Sequence, residues 1–380
     1  MAAAIDQAWL ERNLGEGSAE GLAANSPRTS SLQLTEPDVQ RELIDFDSQA
    51  PAGAAFRSLA PAAPGSLDEF VPIVWPDGLS PEPKTPPASD SLPEADVLVI
   101  TWTMDEGHAL SRVLTPGFDS RDDWRPYEKN FVELSKQMNP RCPARQSHRL
   151  GTYWTAMVGE RKVTLFKSDS HMSQDGPALT NALLLRQLIE DTGASLVIST
   201  GTGGAIGPDY EVGDVVVSRF ATFDCQRQFA SLDGRSYEAK TDTPSERFDA
   251  AVGLFDFNAQ FLPPDNSRKP QILPAATAAE GILTTDFFGF ANTTNTYGLA
   301  GKGRLAEMGD AVLGMVCAEL GPAAPNYALV RNVSDPEIDA AGRTLAEQAK
   351  VAGNIYKAYG RWSTVCSAIV CWAIIAALDS

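Results

Sequence analysis

Residues 194–207 read ASLVISTGTGGAIG, an apolar run that passes directly into a glycine-rich segment. A short run of Leu, Val and Ile is typical of a strand that is buried on both faces, as in a parallel sheet. Glycines let the backbone approach a ligand closely and direct N–H groups towards it, but they equally suit a tight structural turn. No Lys-Ser or Lys-Thr pair follows, so this is not a Walker-type phosphate loop.

Further strands and helices alternate on both sides of this segment. Residues 95–103 (ADVLVITWT) and 327–333 (YALVRNV) have the composition of buried strands, and 153–166 has the pattern of a hairpin. Helical spacing of apolar residues occurs at 177–191 and 310–320. This alternation predicts a three-layer α/β/α sandwich around a central, mainly parallel mixed sheet. Ligands of such folds bind beyond the carboxyl ends of the strands.

The two ends of the chain differ from this pattern. Pro, Ala, Ser and Gly dominate residues 1–92, a composition that buries too little apolar surface to offset its ordering entropy. We therefore expect a largely disordered N-terminal region over 1–92 and one folded domain over 93–380. Two helices are predicted near 342–357 and 361–378. The apolar part of the second is at the short limit for a bilayer span and lacks a basic flank, which favours a buried helix over a membrane anchor.

Composition restricts the partners. The formal net charge of −18 disfavours nucleic acid, because binding there depends on Lys and Arg neutralising phosphates. Five Cys at irregular spacing, with no secretion signal, indicate reduced thiols and a cytoplasmic protein. Three His and no paired Cys motif make a bound metal unexpected. We expect a small-molecule ligand, with no metal, other cofactor, membrane or nucleic acid.

A second motif, VRNVSDP at 330–336, follows a predicted buried strand. An Asp in that position can be a turn or helix-cap residue. Alternatively, Asp335 is a general acid that protonates a departing base, with Ser334 and Arg331 orienting it. Both interpretations stay open on this motif alone.

A third motif, TWTMDE at 101–106, also follows a predicted buried strand. Acids are favoured in the first turn of a helix by the helix dipole, which is one explanation for Asp105 and Glu106. The functional alternative is a general base that activates water.

Together these motifs resemble those of the nucleoside phosphorylase and nucleosidase superfamily, which includes purine nucleoside phosphorylases and methylthioadenosine/adenosylhomocysteine nucleosidases. The resemblance runs in order over residues 95–378. Residues 198–218 look like the family's glycine-rich segment, 281–288 (GILTTDFF) its strand before the base pocket, 308–320 its ribose-binding helix and 330–335 its catalytic loop. It implies a homo-oligomer that cleaves the N-glycosidic bond of a purine nucleoside or nucleotide without a cofactor.

The resemblance also implies roles for individual residues. Asp335 would be the acid at the purine, and Glu106 the residue that activates water. The implied binding residues are Ser334, Arg331, Thr202, Gly203, Gly204, Met308 and either Phe287 or Phe288. Thr202, Gly203 and Gly204 would line the sugar and the nucleophile, Met308 would pack on the ribose, and one Phe would pack on the base. Either Phe equally suits a core position.

One departure from the family pattern concerns the sugar. The family has Met-Glu, with the Glu binding the ribose hydroxyls, whereas here Gly309 follows Met308. Asp310 is the nearest acid that follows, and a carboxylate accepts two hydrogen bonds readily. Either Asp310 takes over, the substrate's ribose is altered, or the site is degenerate.

A second departure concerns the nucleophile. Ser199 stands near the position of a phosphate-binding Arg of the family's phosphorylases, and a neutral Ser gives phosphate no countercharge. Glu106 would repel phosphate and suits water. Hydrolysis is therefore the preferred prediction, with a phosphate-dependent phosphorylase and a non-catalytic nucleoside or nucleotide sensor as alternatives.

Overall fold

The computed structural model of the protein describes residues 73–140, 142–172, 175–255 and 266–378. Most of the predicted disordered region, residues 1–72, lies outside these ranges. In the described part, thirteen strands form one mixed sheet.

The strands and helices are as follows. The strands are β1 (Glu82–Lys84), β2 (Val97–Thr101), β3 (Arg125–Tyr127), β4 (Gly151–Val158), β5 (Arg161–Ser168), β6 (Leu196–Ala205), β7 (Val215–Ser218), β8 (Phe220–Phe223), β9 (Ser236–Glu238), β10 (Ile272–Pro274), β11 (Ile282–Thr284), β12 (Leu305–Glu307) and β13 (Asn326–Asp335). The α-helices are α1 (Met104–Leu114), α2 (Phe131–Ser135), α3 (Pro143–Ser147), α4 (Thr180–Thr192), α5 (Phe248–Leu254), α6 (Asp310–Leu320) and α7 (Leu345–Ala377).

The centre of the sheet is parallel. β2 pairs in parallel with β5 and with β6, and β6 pairs in parallel with β13 over most of its length. Antiparallel pairings flank this centre, where β4 joins β5, β7 joins β13 and β12 joins the end of β6. The predicted hairpin at 153–166 is the β4–β5 pair.

Helices cover both faces of the sheet. Val97 and Val99 of β2 belong to the hydrophobic core that includes α1 and α7, whereas Leu98 and Ile100 belong to the core that includes α4 and α6. A strand directs successive side chains to opposite faces, so one apolar strand supplies two cores. The predicted three-layer α/β/α sandwich is confirmed.

The glycine-rich segment is part of a strand and not a turn. β6 continues to Ala205, and its last residues pair with the end of β13, with a register irregularity between Val333 and Asp335. Gly201 has a φ of +151°, and a Cβ there would lie 2.4 Å from the Glu106 carboxylate. The strand therefore needs glycine at this position because a carboxylate occupies the space of a side chain.

The two predicted C-terminal helices form one helix, α7, which runs through Gly360. The prediction of a break was wrong because the first half of α7 buries Ala349 and Ala352 in one hydrophobic cluster and the second half buries residues from Trp362 onwards in another. Burial on both sides of Gly360 outweighs the low helix propensity of one glycine. By length and composition α7 could cross a membrane, but its apolar window is 94% buried inside the protein.

The described part of the N-terminal region, residues 73–92, packs on the domain that the sequence predicted to begin at 93. β1 pairs with β4, and the ring of Trp75 lies 4.7 Å from that of Trp372 in α7. Trp372 Nε1 donates a hydrogen bond to Leu79 O at 2.7 Å. Because the segment is rich in Pro, its sequence did not indicate that Trp75 and Leu79 contact α7.

We predict that Trp75→Ala lowers the free energy of unfolding by about 2 kcal/mol, less than for a fully buried Trp, because Trp75 is half-buried. Val74→Ala is the matched control, since Val74 is 83% exposed and should change stability little. Chemical denaturation of both variants measures the difference. Equal stabilities would show that residues 73–79 do not stabilise the domain.

Candidate active site

A cavity opens at the carboxyl ends of the central strands. Its wall comprises residues that follow β2, the glycine-rich half of β6, the loop 285–289, the β12–α6 junction, the end of β13 and part of α7. All three motifs identified in the sequence therefore meet at one place, which is where parallel α/β sheets bind ligands.

Asp335, at the end of β13, is a buried carboxyl that lines this cavity. Its Oδ1 accepts a hydrogen bond from Ser334 Oγ at 2.8 Å, and its Oδ2 lies 2.9 Å from where a Cβ on Gly204 would be. Burial raises the pKa of Asp335 to about 7, although the bond from Ser334 opposes the rise. Such a carboxyl is partly protonated at neutral pH and can donate a proton.

Glu106 also lines the cavity, and its pKa is shifted in the direction opposite to that of Asp335. Its Oε2 accepts hydrogen bonds from Thr101 Oγ1 and the backbone N–H groups of Trp102 and Thr103, at 2.9–3.0 Å. Its Oε1 accepts from Thr202 N at 2.7 Å and Thr202 Oγ1 at 2.9 Å. Burial raises the pKa of Glu106, but the Arg331 charge and the backbone donors outweigh burial and hold it below its ordinary value.

Glu106 also satisfies the structural explanation for an acid at this position. With Thr103 it forms a capping box at the start of α1, in which each side chain bonds the backbone N–H of the other residue. The two interpretations from the sequence are therefore compatible. One carboxylate starts the helix and faces the cavity.

The glycine-rich strand separates the two carboxyls. Gly201 lies against Glu106, and Gly204 lies against Asp335. Three residues of extended strand span roughly 10 Å at about 3.4 Å per residue. Both carboxyls line the same cavity, so a ligand bound there can contact an acid and a base.

The sequence suggested that Arg331 orients Asp335, but the structure shows that it binds other side chains instead. Its guanidinium is buried and bonds Asp310, with Nε to Oδ2 at 3.0 Å and Nη2 to Oδ1 at 2.6 Å. It also contacts Glu307 Oε2 at 3.0 Å and Ser199 Oγ at 3.1 Å, and it lies 4.7 Å from the centre of the Trp102 ring. Ser334 alone of the two suggested residues contacts the Asp335 carboxyl.

Asp310 is not placed to take over the missing sugar-binding Glu. It is fully buried beneath the cavity wall, and its carboxylate is held by Arg331 and Ser199. Glu307, two residues before Gly309, lines the cavity instead. Burial and the neighbouring Asp310 raise the pKa of Glu307, while Arg331 opposes the rise.

The structure distinguishes the two Phe candidates. Phe288 lines the cavity, whereas Phe287 is fully buried and packs against Tyr297 at a ring distance of 5.2 Å. The remaining predicted residues, Thr202, Gly203, Gly204 and Met308, all line the cavity.

Several other cavity residues were missed from the sequence, and Trp102, Tyr356 and His171 are three of them. Trp102 was hidden within a strand-like run, and Tyr356 lies on α7, far along the chain. His171 lines the cavity between β5 and α4, and burial, only partly offset by the Glu106 charge, lowers its pKa to about 4. His171 is therefore neutral at physiological pH. His171 lies in a segment without a recognisable motif, so the sequence did not identify it as a site residue.

Within the part of the chain that the structure describes, no group of three or more His, Cys, Asp or Glu side chains is arranged to hold a metal ion. None of the five cysteines forms a disulfide bond, and all five are buried.

Comparison with known protein families adds an independent observation. Residues 127–265 match the family model described as the phosphorylase superfamily. The chain resembles this superfamily. The matched range includes the glycine-rich half of β6 and ends before β13, so the predicted resemblance to the superfamily is confirmed by a part of the chain that excludes both Glu106 and Asp335.

Solved structures with similarity to the chain include a futalosine hydrolase and two nucleosidases. Futalosine hydrolase of Helicobacter pylori has 14% identity and a TM-score of 0.45, covering 73% of this chain and 96% of its own. The 5′-methylthioadenosine/S-adenosylhomocysteine nucleosidase of Neisseria meningitidis has 14% identity and a TM-score of 0.44, covering 74% and 99%. That of S. pneumoniae has 17% identity and a TM-score of 0.43, covering 74% and 99%. Among curated proteins there is no significant match.

The raised pKa of Asp335 predicts a pH-dependent stability. Between the ordinary pKa of Asp, about 4, and its native value of about 7, the unfolded chain ionises this carboxyl and the native state does not. Wild type should therefore lose stability relative to Asp335→Asn as the pH rises from 4 to 7, and the difference should level off above pH 7. Melting temperatures of both proteins across this range provide the measurement.

The control is Asp122→Asn, which changes an exposed aspartate. Its stability difference from wild type should stay nearly constant over the same pH range. If the Asp335→Asn difference is equally constant, the native carboxyl is ionised like an ordinary one and the assignment of its pKa is wrong.

Proposed function

We propose that this cavity cleaves the N-glycosidic bond of a purine nucleoside or nucleotide, with water as the nucleophile. The observation that carries the proposal is the pair of buried carboxyls with opposite pKa shifts that line one cavity beside Gly201 and Gly204 of the glycine-rich strand. Two titratable groups whose environments drive their pKa values apart are the usual arrangement for an acid and a base in one site.

Asp335 would act on the leaving group. As the bond between the sugar C1′ and the base nitrogen breaks, its electrons move into the purine, and the Asp335 proton passes to N7. This transfer makes the base a neutral leaving group and lowers the barrier. Ser334 holds Oδ1 and leaves Oδ2 towards Gly204 and the cavity.

Glu106 would hold the water. An ionised carboxylate accepts a hydrogen bond from water. Thr202, whose backbone N–H and hydroxyl both donate to Glu106 Oε1, lies beside the place of this water. The lowered pKa of Glu106 is no obstacle, because water becomes strongly acidic once its oxygen bonds the oxocarbenium-like C1′. The water proton then passes to Glu106, and both carboxyls return to their starting states by exchange with solvent.

The remaining walls suit the two halves of the substrate. Phe288, with Gly289 beside it, offers an aromatic surface for a planar base, and aromatic contacts of this kind stabilise a complex by about 1 kcal/mol beyond simple burial. Met308 provides an apolar surface for the sugar. A homo-oligomeric state and a cytoplasmic location remain proposals from the sequence.

The phosphorylase alternative is weaker because the cavity offers phosphate little positive charge. Among the described cavity-lining residues Arg331 is the only Lys or Arg, and Asp310 and Glu307 both pair with it. Ser199 is fully buried behind the wall. An incoming phosphate would also face the Glu106 carboxylate, and like charges at close range disfavour binding.

The sensor alternative rests on Gly309, where the family has a sugar-binding Glu. A binding module has no need to keep one carboxyl protonated and another ionised in the same cavity, since burying a charge is costly. The opposite shifts of Asp335 and Glu106 therefore favour an enzyme.

We predict that Asp335→Asn reduces release of free purine by roughly 10²–10⁴-fold, because an amide of the same shape cannot donate the proton. Wild type, Asp335→Asn and the control Asp122→Asn would be incubated with a panel of purine nucleosides and nucleotides. Chromatography of the free base gives the rates, and the rate of wild type should not change across a phosphate titration at fixed ionic strength.

Three outcomes would contradict the proposal. Wild-type turnover by Asp335→Asn would remove the acid from the mechanism. A rate that rises with phosphate and yields ribose 1-phosphate would establish the phosphorylase. Binding of a purine compound without any release of base would establish the sensor.

A further inference from the structure

We propose that the substrate class is uncharged purine nucleosides, and that the cavity rejects nucleotides because of the negative charge of their phosphates. This inference rests on the proposed function and deepens it, because the proposed function includes both nucleosides and nucleotides. It concerns the balance of charge in the cavity wall and requires no particular orientation of the ligand.

Acidic side chains outnumber basic ones in the cavity wall. Glu106, Glu307 and Asp335 line the cavity, whereas Arg331 is the only Lys or Arg among its described lining residues. His171 also lines it, but burial lowers the pKa of His171 to about 4, so this side chain brings no positive charge at neutral pH. With three carboxyls and one guanidinium, the wall becomes negative once two of the carboxyls have ionised.

The positive charge of Arg331 is already paired within the protein. Its Nη2 lies 2.6 Å from Asp310 Oδ1 and 3.0 Å from Glu307 Oε2, and its Nε donates to Asp310 Oδ2 at 3.0 Å. Asp310 is fully buried behind the wall and adds a further negative charge there. A phosphate that approached Arg331 would have to displace a carboxylate or share the guanidinium with two of them, and like charges at close range disfavour such a complex.

Glu106 adds a negative charge that hydrogen bonds stabilise but do not neutralise. Its donors are hydroxyl and backbone N–H groups, and its pKa is held below the ordinary value, so it is ionised at neutral pH. Glu106 lies against Gly201 and Asp335 lies against Gly204, roughly 10 Å along the strand. At about 7–10 Å and an effective dielectric constant of about 20, one pair of like charges weakens binding roughly 10- to 100-fold.

Uncleavable esters that differ in charge but little in size test the inference. In 9-deazaadenosine a C–C bond joins base and sugar, so binding is measured without turnover. Calorimetry on the full-length protein at pH 8 would compare its 5′-dimethylphosphate, which is neutral, with its 5′-methylphosphate, which carries one negative charge. We expect the neutral ester to bind roughly 10- to 100-fold more tightly. The parent nucleoside is measured beside them.

The pH dependence of this preference in wild type needs no variant. Burial raises the pKa of Asp335 to about 7, and burial with the neighbouring Asp310 also raises the pKa of Glu307, so the wall gains negative charge between pH 6 and pH 8. His171 stays neutral and the methylphosphate keeps its single charge over this range. We expect the preference for the neutral ester to be roughly tenfold larger at pH 8 than at pH 6.

Two variants with the same change of charge locate the effect. Glu307→Gln removes a carboxylate from the wall and leaves Arg331 with one charged partner fewer, so the preference at pH 8 should fall roughly tenfold. Glu319→Gln is the matched control, because Glu319 pairs with Arg186 at 3.0 Å and is not among the cavity-lining residues. The preference of this control should equal that of wild type.

Equal affinities of the two esters for wild type at pH 8, or tighter binding of the charged one, would overturn the inference. An equal loss of preference in both variants would overturn its assignment to the cavity and attribute it to the net charge of −18. Failure of the proposed function is a separate outcome, in which the esters bind with the expected preference but no purine compound releases its base. If the parent nucleoside does not bind at all, the inference and the proposed function both fail.

Discussion

The charge of Arg331, buried in the centre of the sheet, is the constraint on which the site depends. A buried guanidinium requires charged partners, since the cost of removing it from water is otherwise several kcal/mol. Asp310 and Glu307 supply them, and Trp102 packs on the remaining face. Once these residues are fixed, the start of α6 and the part of the cavity wall formed by Trp102 and Glu307 are fixed with them.

The same charge sets the difference between the two carboxyls. Arg331 contributes to the low pKa of Glu106, whereas the pKa of Asp335 is governed by burial and by the bond from Ser334. One sheet thus holds two carboxyls with opposite pKa shifts beside a short stretch of one strand. The glycines of β6 make this possible because they let both carboxyls approach the backbone more closely than a Cβ would permit.

Local patterns in the sequence predicted the buried strands and the motifs that follow them. The apolar run at 95–103 and the motifs around Glu106 and Asp335 placed these residues at strand ends, and the structure brings them to one cavity. The role of Asp310 was not predictable, because its proximity to Gly309 in sequence says nothing of the Arg331 that holds it. Trp75, Trp102 and His171 acquire their positions only through tertiary packing, and the continuity of α7 depends on a core formed by strands distant in the chain.

The central claim is that Asp335 is protonated near neutral pH while Glu106 is ionised. Infrared difference spectra of wild type against Asp335→Asn and against Glu106→Gln, recorded across a pH titration, measure this directly. The account predicts a carboxylic-acid carbonyl band that belongs to Asp335 and disappears with a midpoint near pH 7, with Glu106 contributing only carboxylate bands at that pH. A protonated band that persists in Asp335→Asn and is lost in Glu106→Gln would contradict it.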